Sequence, residues 1–301
     1  MALNVLVKRN IVMFFKDKGL VLTSLISPMI LILLYATFLR NVYVDSFQSA
    51  VKSAGITIDM KYIDGFVYGW LFSSLVAVSS VTVAFCSNML SVQDKVNRTN
   101  YDLLICPVSK PKLWVSYYLS SFIVTYLIII FEIIVGFIIM GFTGWFLSFK
   151  DVIGILVSAF LLVNFGTALS SIINVFLTTQ GQMSAVGSVI SSVYGFICGA
   201  YMPISQFGNV LKNVLSFLPG TYGTCLVRHH YERGVLEALK TEVNFPEQVV
   251  SDISKNFDIS MKFFDKDVSV FVLYLIMSLS VLILMGVYLY INKKYKDDLT
   301  K

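Results

Sequence analysis

The sequence predicts an all-α integral membrane protein with six transmembrane helices. Composition is the first reason: 56% of the 301 residues are hydrophobic and only 14% are charged, with a mean hydropathy of +0.77. A soluble domain carries about a quarter charged residues. The second reason is a set of six apolar stretches, each near the ~20 residues a helix needs to cross the hydrocarbon. The third is where the basic residues fall between them.

The N-terminal segment 1–19 comes first. Leu3, Leu6, Val7, Ile11, Phe14 and Phe15 recur at helical spacing, flanked by Lys8, Arg9 and Lys16. That pattern predicts an amphipathic helix lying in the membrane interface. The first apolar run follows and reaches Leu39 without a charge, which is too long for a signal-peptide core, so it reads as a retained helix.

The six expected spans are Leu20–Leu39, Phe66–Leu90, Trp114–Gly141, Val152–Thr178, Met183–Met202 and Val268–Ile291. Pro28 should kink the first span without ending it, because apolar residues continue on both sides. Segment 203–267 is the longest connection. Its first part, Pro203 to Tyr222, is apolar but too short to cross, which suits a re-entrant or surface-lying helix. From Arg228 onward the mixed, charged composition predicts a small ectodomain. The whole of 1–301 reads as one membrane domain.

Orientation follows from charge. With the N-terminus in the cytoplasm, segments 1–19, 91–113, 179–182 and 292–301 hold twelve Lys/Arg against five Asp/Glu. The outer segments hold eleven against twelve, and seven of those eleven sit in the long loop, which counts little. Both termini are therefore expected inside. A net charge of +5 gives no case for nucleic acid as a partner.

Enzyme and metal chemistry find little support. There is no G-x-x-x-x-G-K-[ST] phosphate loop, no G-x-S-x-G and no His-rich cluster, so the metal expectation is none. His229-His230, with Glu232 nearby, reads as a solvated loop. Asn97-Arg98-Thr99 matches a glycosylation sequon but falls on the inner side. Of Cys86, Cys106, Cys198 and Cys225, only Cys225 falls in the outer loop, so no intrachain disulfide framework is expected.

Three patterns inside the spans and their connections stand out. Glu132 is the only charge within the expected spans, where a carboxylate costs at least ~2.5 kcal/mol. Ser121, Thr125, Glu132 and Gly136 share one helix face. Two readings stay open: a contact on a substrate path or gate, and a protonated structural carboxyl bonded between helices. In the fifth span Gly187, Ser191, Gly195 and Gly199 repeat every four residues, beside Ser184, Ser188 and Ser192, which predicts close helix packing.

The third pattern is the loop from Ser91 to Leu113. Asp94 to Ile105 can form a short polar helix, and Pro107 discourages helix at Cys106. Ser109 can cap the next long helix, with Pro111 tolerated in its first turn. Asp94, Lys95, Arg98 and Asp102, with Leu103 and Leu104, would make a docking element for a soluble partner.

Here the chain resembles the type-2 ABC exporter permeases, the G-subfamily-like (type V) membrane subunits. Leu103-Leu104-Ile105-Cys106-Pro107-Val108-Ser109-Lys110 is similar to the end of the family's first cytoplasmic loop. Gly199-Ala200-Tyr201-Met202-Pro203-Ile204-Ser205 and Leu218-Pro219-Gly220-Thr221-Tyr222 resemble its fifth-span end and re-entrant helices. The order of parts matches from end to end. One departure is Arg98-Thr99-Asn100-Tyr101, where the family commonly has Gly-Thr-Leu-Glu.

The resemblance implies a transport subunit with no ATPase site and no cofactor of its own, ATP and Mg being bound by a separate ABC ATPase. It implies a second permease subunit, identical or related, and a coupling helix at about Asp94 to Cys106 with Pro107 behind it. The second and fifth spans would line the path at Ser73, Ser80, Ser191 and Tyr194, and Phe217 and Pro219 would form an outer gate. It implies export of an amphipathic drug, peptide or lipid-linked molecule across a bacterial inner membrane. Three other readings compete: an ion-gradient transporter using Glu132, a membrane-embedded enzyme, which lacks a convergent catalytic set, and a passive structural subunit.

Overall fold

The computed structural model describes residues 2–53, 58–105, 108–263 and 266–298. Among them helices account for nearly everything. The exception is a hairpin of two-residue strands, β1 (Lys262–Phe263) and β2 (Lys266–Asp267), paired antiparallel.

Helix α1 (Ala2–Lys16) buries Leu6, Asn10 and Phe14, each four residues apart, and leaves Val5, Val12, Met13 and Phe15 exposed. Asp17 then breaks the chain by capping α2 (Lys18–Leu34), accepting from the N–H groups of Gly19 and Leu20 at 3.0 and 3.1 Å. The helix runs on through Pro28, enters a π-helical turn at Tyr35–Leu39, and continues as α3 (Arg40–Ser53). It thus outlasts the end expected at Leu39. Arg40 can follow the apolar run because it pairs with Asp64 at 2.6 Å.

Helix α4 (Met60–Val96) is the axis of the bundle. In its most apolar stretch 94% of residues are buried, and α2, α6 (Lys110–Thr143), α7 (Phe149–Phe176), α8 (Gln180–Ile197) and α10 (Pro219–Thr241) all pack on it. Lipid gives no hydrophobic drive for such contacts, so small residues at the crossings let the backbones close up. A Cβ on Gly166 of α7 would land on the carbonyl oxygen of Ser80, and one on Gly136 of α6 would meet the Phe72 ring at 2.8 Å. Side-chain bonds pin the same layer: Asn88 donates to Ser171 at 2.7 Å and to Ser170 at 3.2 Å, and Ser87 meets Ser121 at 2.6 Å.

Among the described residues five helical stretches are long and apolar enough to cross a membrane: Lys18–Ser49, Met60–Val96, Lys110–Thr143, Phe149–Phe176 and Val270–Lys294, the last within α12 (Val270–Asp298). The sequence suggested six. The expected fifth span is α8, which is only 18 residues long and diluted by Gly, Ser and Gln. It stops before Gly199, whose φ of +75° turns the chain back. It still packs into the bundle against α4 and α2.

The segment expected as a charged ectodomain differs most. After α9 (Asn209–Leu215), helix α10 packs along α4, α7 and α12 instead of standing in solvent. Its charges are absorbed internally. Arg228 is 1% exposed and bonds three acceptors, while Arg233 pairs with Asp151 at the start of α7, at 2.6 Å. His229 and His230 are half-buried on this helix, not in a solvated loop. Nε2 of His230 lies 2.8 Å from the Tyr274 hydroxyl, and burial pushes that imidazole down to about 4, so it is neutral near pH 7. What extends beyond is α11 (Glu247–Asn256) and the small hairpin. Phe257, just after α11, closes over an aromatic cluster of Tyr43, Phe66 and Trp70, with ring centroids 5.9 and 5.0 Å away for the first two.

Candidate functional site at the α1–α4–α5 junction

At one end of the bundle α4 ends at Val96, with Asn97 as its C-cap. Arg98 has φ +60°, a left-handed conformation that ends the helix, and the chain restarts as α5 (Thr99–Ile105). The single helix expected over Asp94 to Ile105 is therefore broken in two. Asp94 and Lys95 belong to the last turn of α4, while Asp102, Leu103 and Leu104 ride on α5.

That break separates residues expected to act together. Asp94 is 3% exposed and turned inward. Arg9 of α1 grips it with Nη1 at 2.6 Å and Nη2 at 3.0 Å, and the Tyr117 hydroxyl of α6 donates to it at 2.5 Å. The Asp94 carboxylate holds the Arg9 guanidinium above its ordinary range. Lys95 donates to the carbonyls of Asn174 and Val175, at 2.8 and 3.1 Å, at the last turn of α7. Both side chains, expected as docking contacts, are occupied within the subunit.

Among the described residues of 96–105 the exposed ones are Val96, Asn97, Arg98, Asp102 and Ile105, the last 84% exposed. Leu103 is half-buried against Leu6 of α1, Leu113 and Tyr117, so α5 rests on α1 and α6 by one side. The Leu104 side chain and Pro107 lie outside the described residues. Ser109 occupies the N-cap position of α6 without a side-chain bond, with Pro111 in the first turn.

The expected path residues separate as well. Ser73 and Ser80 are fully buried in the core of their own subunit, their hydroxyls donating to the carbonyls of Trp70 and Val76. On α8 Ser191 is half-buried and its carbonyl accepts from Ser27 of α2 at 3.1 Å. Tyr194 is buried against Gly220. The open face of α8 instead presents Ser184, Ser188, Ser192, Val189, Val193 and Phe196. Its glycines divide too: Gly187 lets Met89 of α4 approach, whereas Gly195 and Gly199 make room for Tyr201 and Ile204 in the returning chain. At the far end Phe217 is 63% exposed and Pro219 opens α10.

Ser121, Thr125, Glu132 and Gly136 do share a buried face. Glu132 faces Ser79 of α4 and Tyr231 of α10, and neither carboxylate oxygen has a hydrogen-bond partner among the described residues. A second buried carboxylate, Glu232, sits against Gly69 in the same condition. Sequence reasoning missed Arg9, Tyr117, Arg228 and Glu232. The only signals were a basic residue on an amphipathic helix and an Arg/Glu pair four positions apart in an apolar neighbourhood. No group of three or more His, Cys, Asp or Glu that could hold a metal is found among the described residues.

The chain is a bundle of membrane-length helices built around a buried central helix, with an N-terminal helix clamped to a short exposed helix at one end. The family model for the ABC-2 type transporter matches residues 1–230. The chain belongs to that family, as a multi-pass permease component of an ABC transporter. No curated protein and no solved structure matches it.

Proposed function

We propose that this chain is the membrane half of an ATP-driven exporter of the G-subfamily-like type, working with a separate ABC ATPase and a second permease subunit. The observation that carries the reading is the junction itself. Helix α5 exposes Asp102 and Ile105, while the turn before it is locked by Asp94 to Arg9 and Tyr117. A protein pushing on α5 moves α1, α4 and α6 together. ATP and Mg bind the partner ATPase, whose closure shifts the spans between inward-open and outward-open states.

The N-terminus and C-terminus lie in the cytoplasm of a bacterial cell under this reading, supported by Lys and Arg at the α5 end. The open Ser/Val face of α8 lines the route for an amphipathic drug, peptide or lipid-linked molecule, and Phe217 and Pro219 close its outer mouth.

The test is co-purification with the ATPase encoded beside this chain, followed by vanadate-sensitive ATP hydrolysis. A complex that hydrolyses ATP, and that Ile105→Asp dissociates, supports the reading. A chain that purifies alone and still transports after ATP depletion overturns it.

The unpartnered carboxyl of Glu132 favours a second reading, transport driven by an ion gradient. Loss of transport on collapsing the proton gradient at constant ATP would establish it.

A further inference from the structure

At the end of the bundle opposite α5, a cavity of about 280 Å³ lies where five segments meet: the end of α8, the turn Ile204–Gln206, α9, α10 and the chain around α11. Three cations line it, Arg228, Lys212 and Lys255, against one carboxylate, Asp258. Arg228 is 1% exposed. Its Nη1 donates to the Phe257 carbonyl at 3.1 Å, and its Nη2 to the Gly199 carbonyl at 2.9 Å and to Ser74 at 3.0 Å. Its face lies over the Trp70 ring, 4.7 Å from the centroid. Its Nε has no hydrogen-bond partner among the described residues.

The single carboxylate does not balance this. Asp258 lies 4.0 Å from Arg228 and accepts from the backbone N–H groups of Ile204 and Ser205. Lys212 has no ion pair among the described residues, and Lys255 has only an exposed contact to Asp252 at 4.0 Å. Lys212 and Lys255 are half-exposed with their ammonium groups free to turn toward a ligand, and a guanidinium with an N–H left over suits an oxyanion. Within the lining three cations face one carboxylate, Glu232 and Asp252 lying outside it, and this excess of positive charge suits a phosphate group carrying about −1.5 to −2 at pH 7.

We propose that this cavity binds a terminal phosphate group through Arg228, Lys212 and Lys255, tying α8, α9, α10 and α11 together at the end of the bundle opposite α5. The chemistry is shared by a lipid phosphate headgroup and by free inorganic phosphate. The inference stands independently of the exporter reading, since it rests on the cavity alone.

The test uses the full chain in phosphatidylcholine nanodiscs. One arm titrates inorganic phosphate by calorimetry. The other dopes the discs with phosphatidic acid and counts retained lipid by native mass spectrometry. Arg228→Gln threatens folding, so the working variant is Lys212→Gln/Lys255→Gln, checked by circular dichroism. One saturable site per chain in either arm, weakened tenfold or more in the double variant, is the expected result, and the arm that responds identifies the source. No binding in both arms, or binding unchanged in the double variant, overturns the proposal.

Discussion

The guanidinium of Arg9 and the carboxylate of Asp94, 85 positions apart, meet in a two-pronged ion pair of 2.6 and 3.0 Å, with the Tyr117 hydroxyl on the same carboxylate. Asp94 has almost no access to solvent, so removing its partner strands a charge, at a cost of about 3 kcal/mol. Arg9→Ala is expected to lower the thermal unfolding midpoint by several degrees. Arg9→Ala/Asp94→Asn should lose less than the sum of the single variants, because the second change removes the stranded charge. Full additivity in a fluorescence melt would show that the pair is not coupled.

Leu103 and Ile105 should behave differently although both are apolar and two residues apart. Ile105 is exposed and Leu103 packs on Leu6 and Tyr117. Ile105→Asp is expected to abolish ATPase association at unchanged melting temperature, whereas Leu103→Asp lowers both. Pull-down and melting of the same preparations separate the two effects.

Two glycines make a controlled comparison. A methyl on Gly166 meets backbone at Ser80, which cannot swing aside, and Gly166→Ala should destabilise by about 1–3 kcal/mol. Gly286 on α12 has nothing within 4 Å of an added Cβ, and Gly286→Ala should be neutral or stabilise by up to ~1 kcal/mol through helix propensity. Equal effects from the two, measured as melting temperatures, would place the α4–α7 contact elsewhere.

For Glu132 the exporter reading expects Glu132→Gln to keep most transport, since an amide preserves shape and polarity. Glu132→Leu removes a buried carboxyl that has no hydrogen-bond partner among the described residues and should leave stability unchanged or raise it. Transport that vanishes with Glu132→Gln, in a chain that melts normally, would make this carboxyl part of the mechanism.

Much of the fold was legible because hydropathy reports a bilayer crossing directly. The second, third, fourth and sixth expected spans sit inside α4, α6, α7 and α12 apart from a residue or two at their ends. Helix α10 was not legible, because composition counts Arg228 and Arg233 as polar and cannot see Ser74, Gly199 or Asp151 waiting to receive them. The break at Arg98 was hidden for a related reason: glycine or asparagine is the usual residue in a left-handed cap, and arginine gives no warning. Asp94 had the right residue type for a docking surface, and only the fold reveals Arg9 behind it.

Lys95 has one more consequence. By holding the final carbonyls of α7, it removes an independent degree of freedom: the lower ends of α4 and α7 tilt as one block. From α7 the chain passes to α8 through only Leu177, Thr178 and Thr179, whose joint is stiffened by Gln182 bonding back to the Thr178 and Thr179 N–H groups. The α5 end is thus joined to the open face of α8 through one ammonium clamp and a three-residue crank, and a displacement of α5 in the proposed cycle is expected to reach α8 as rotation about it.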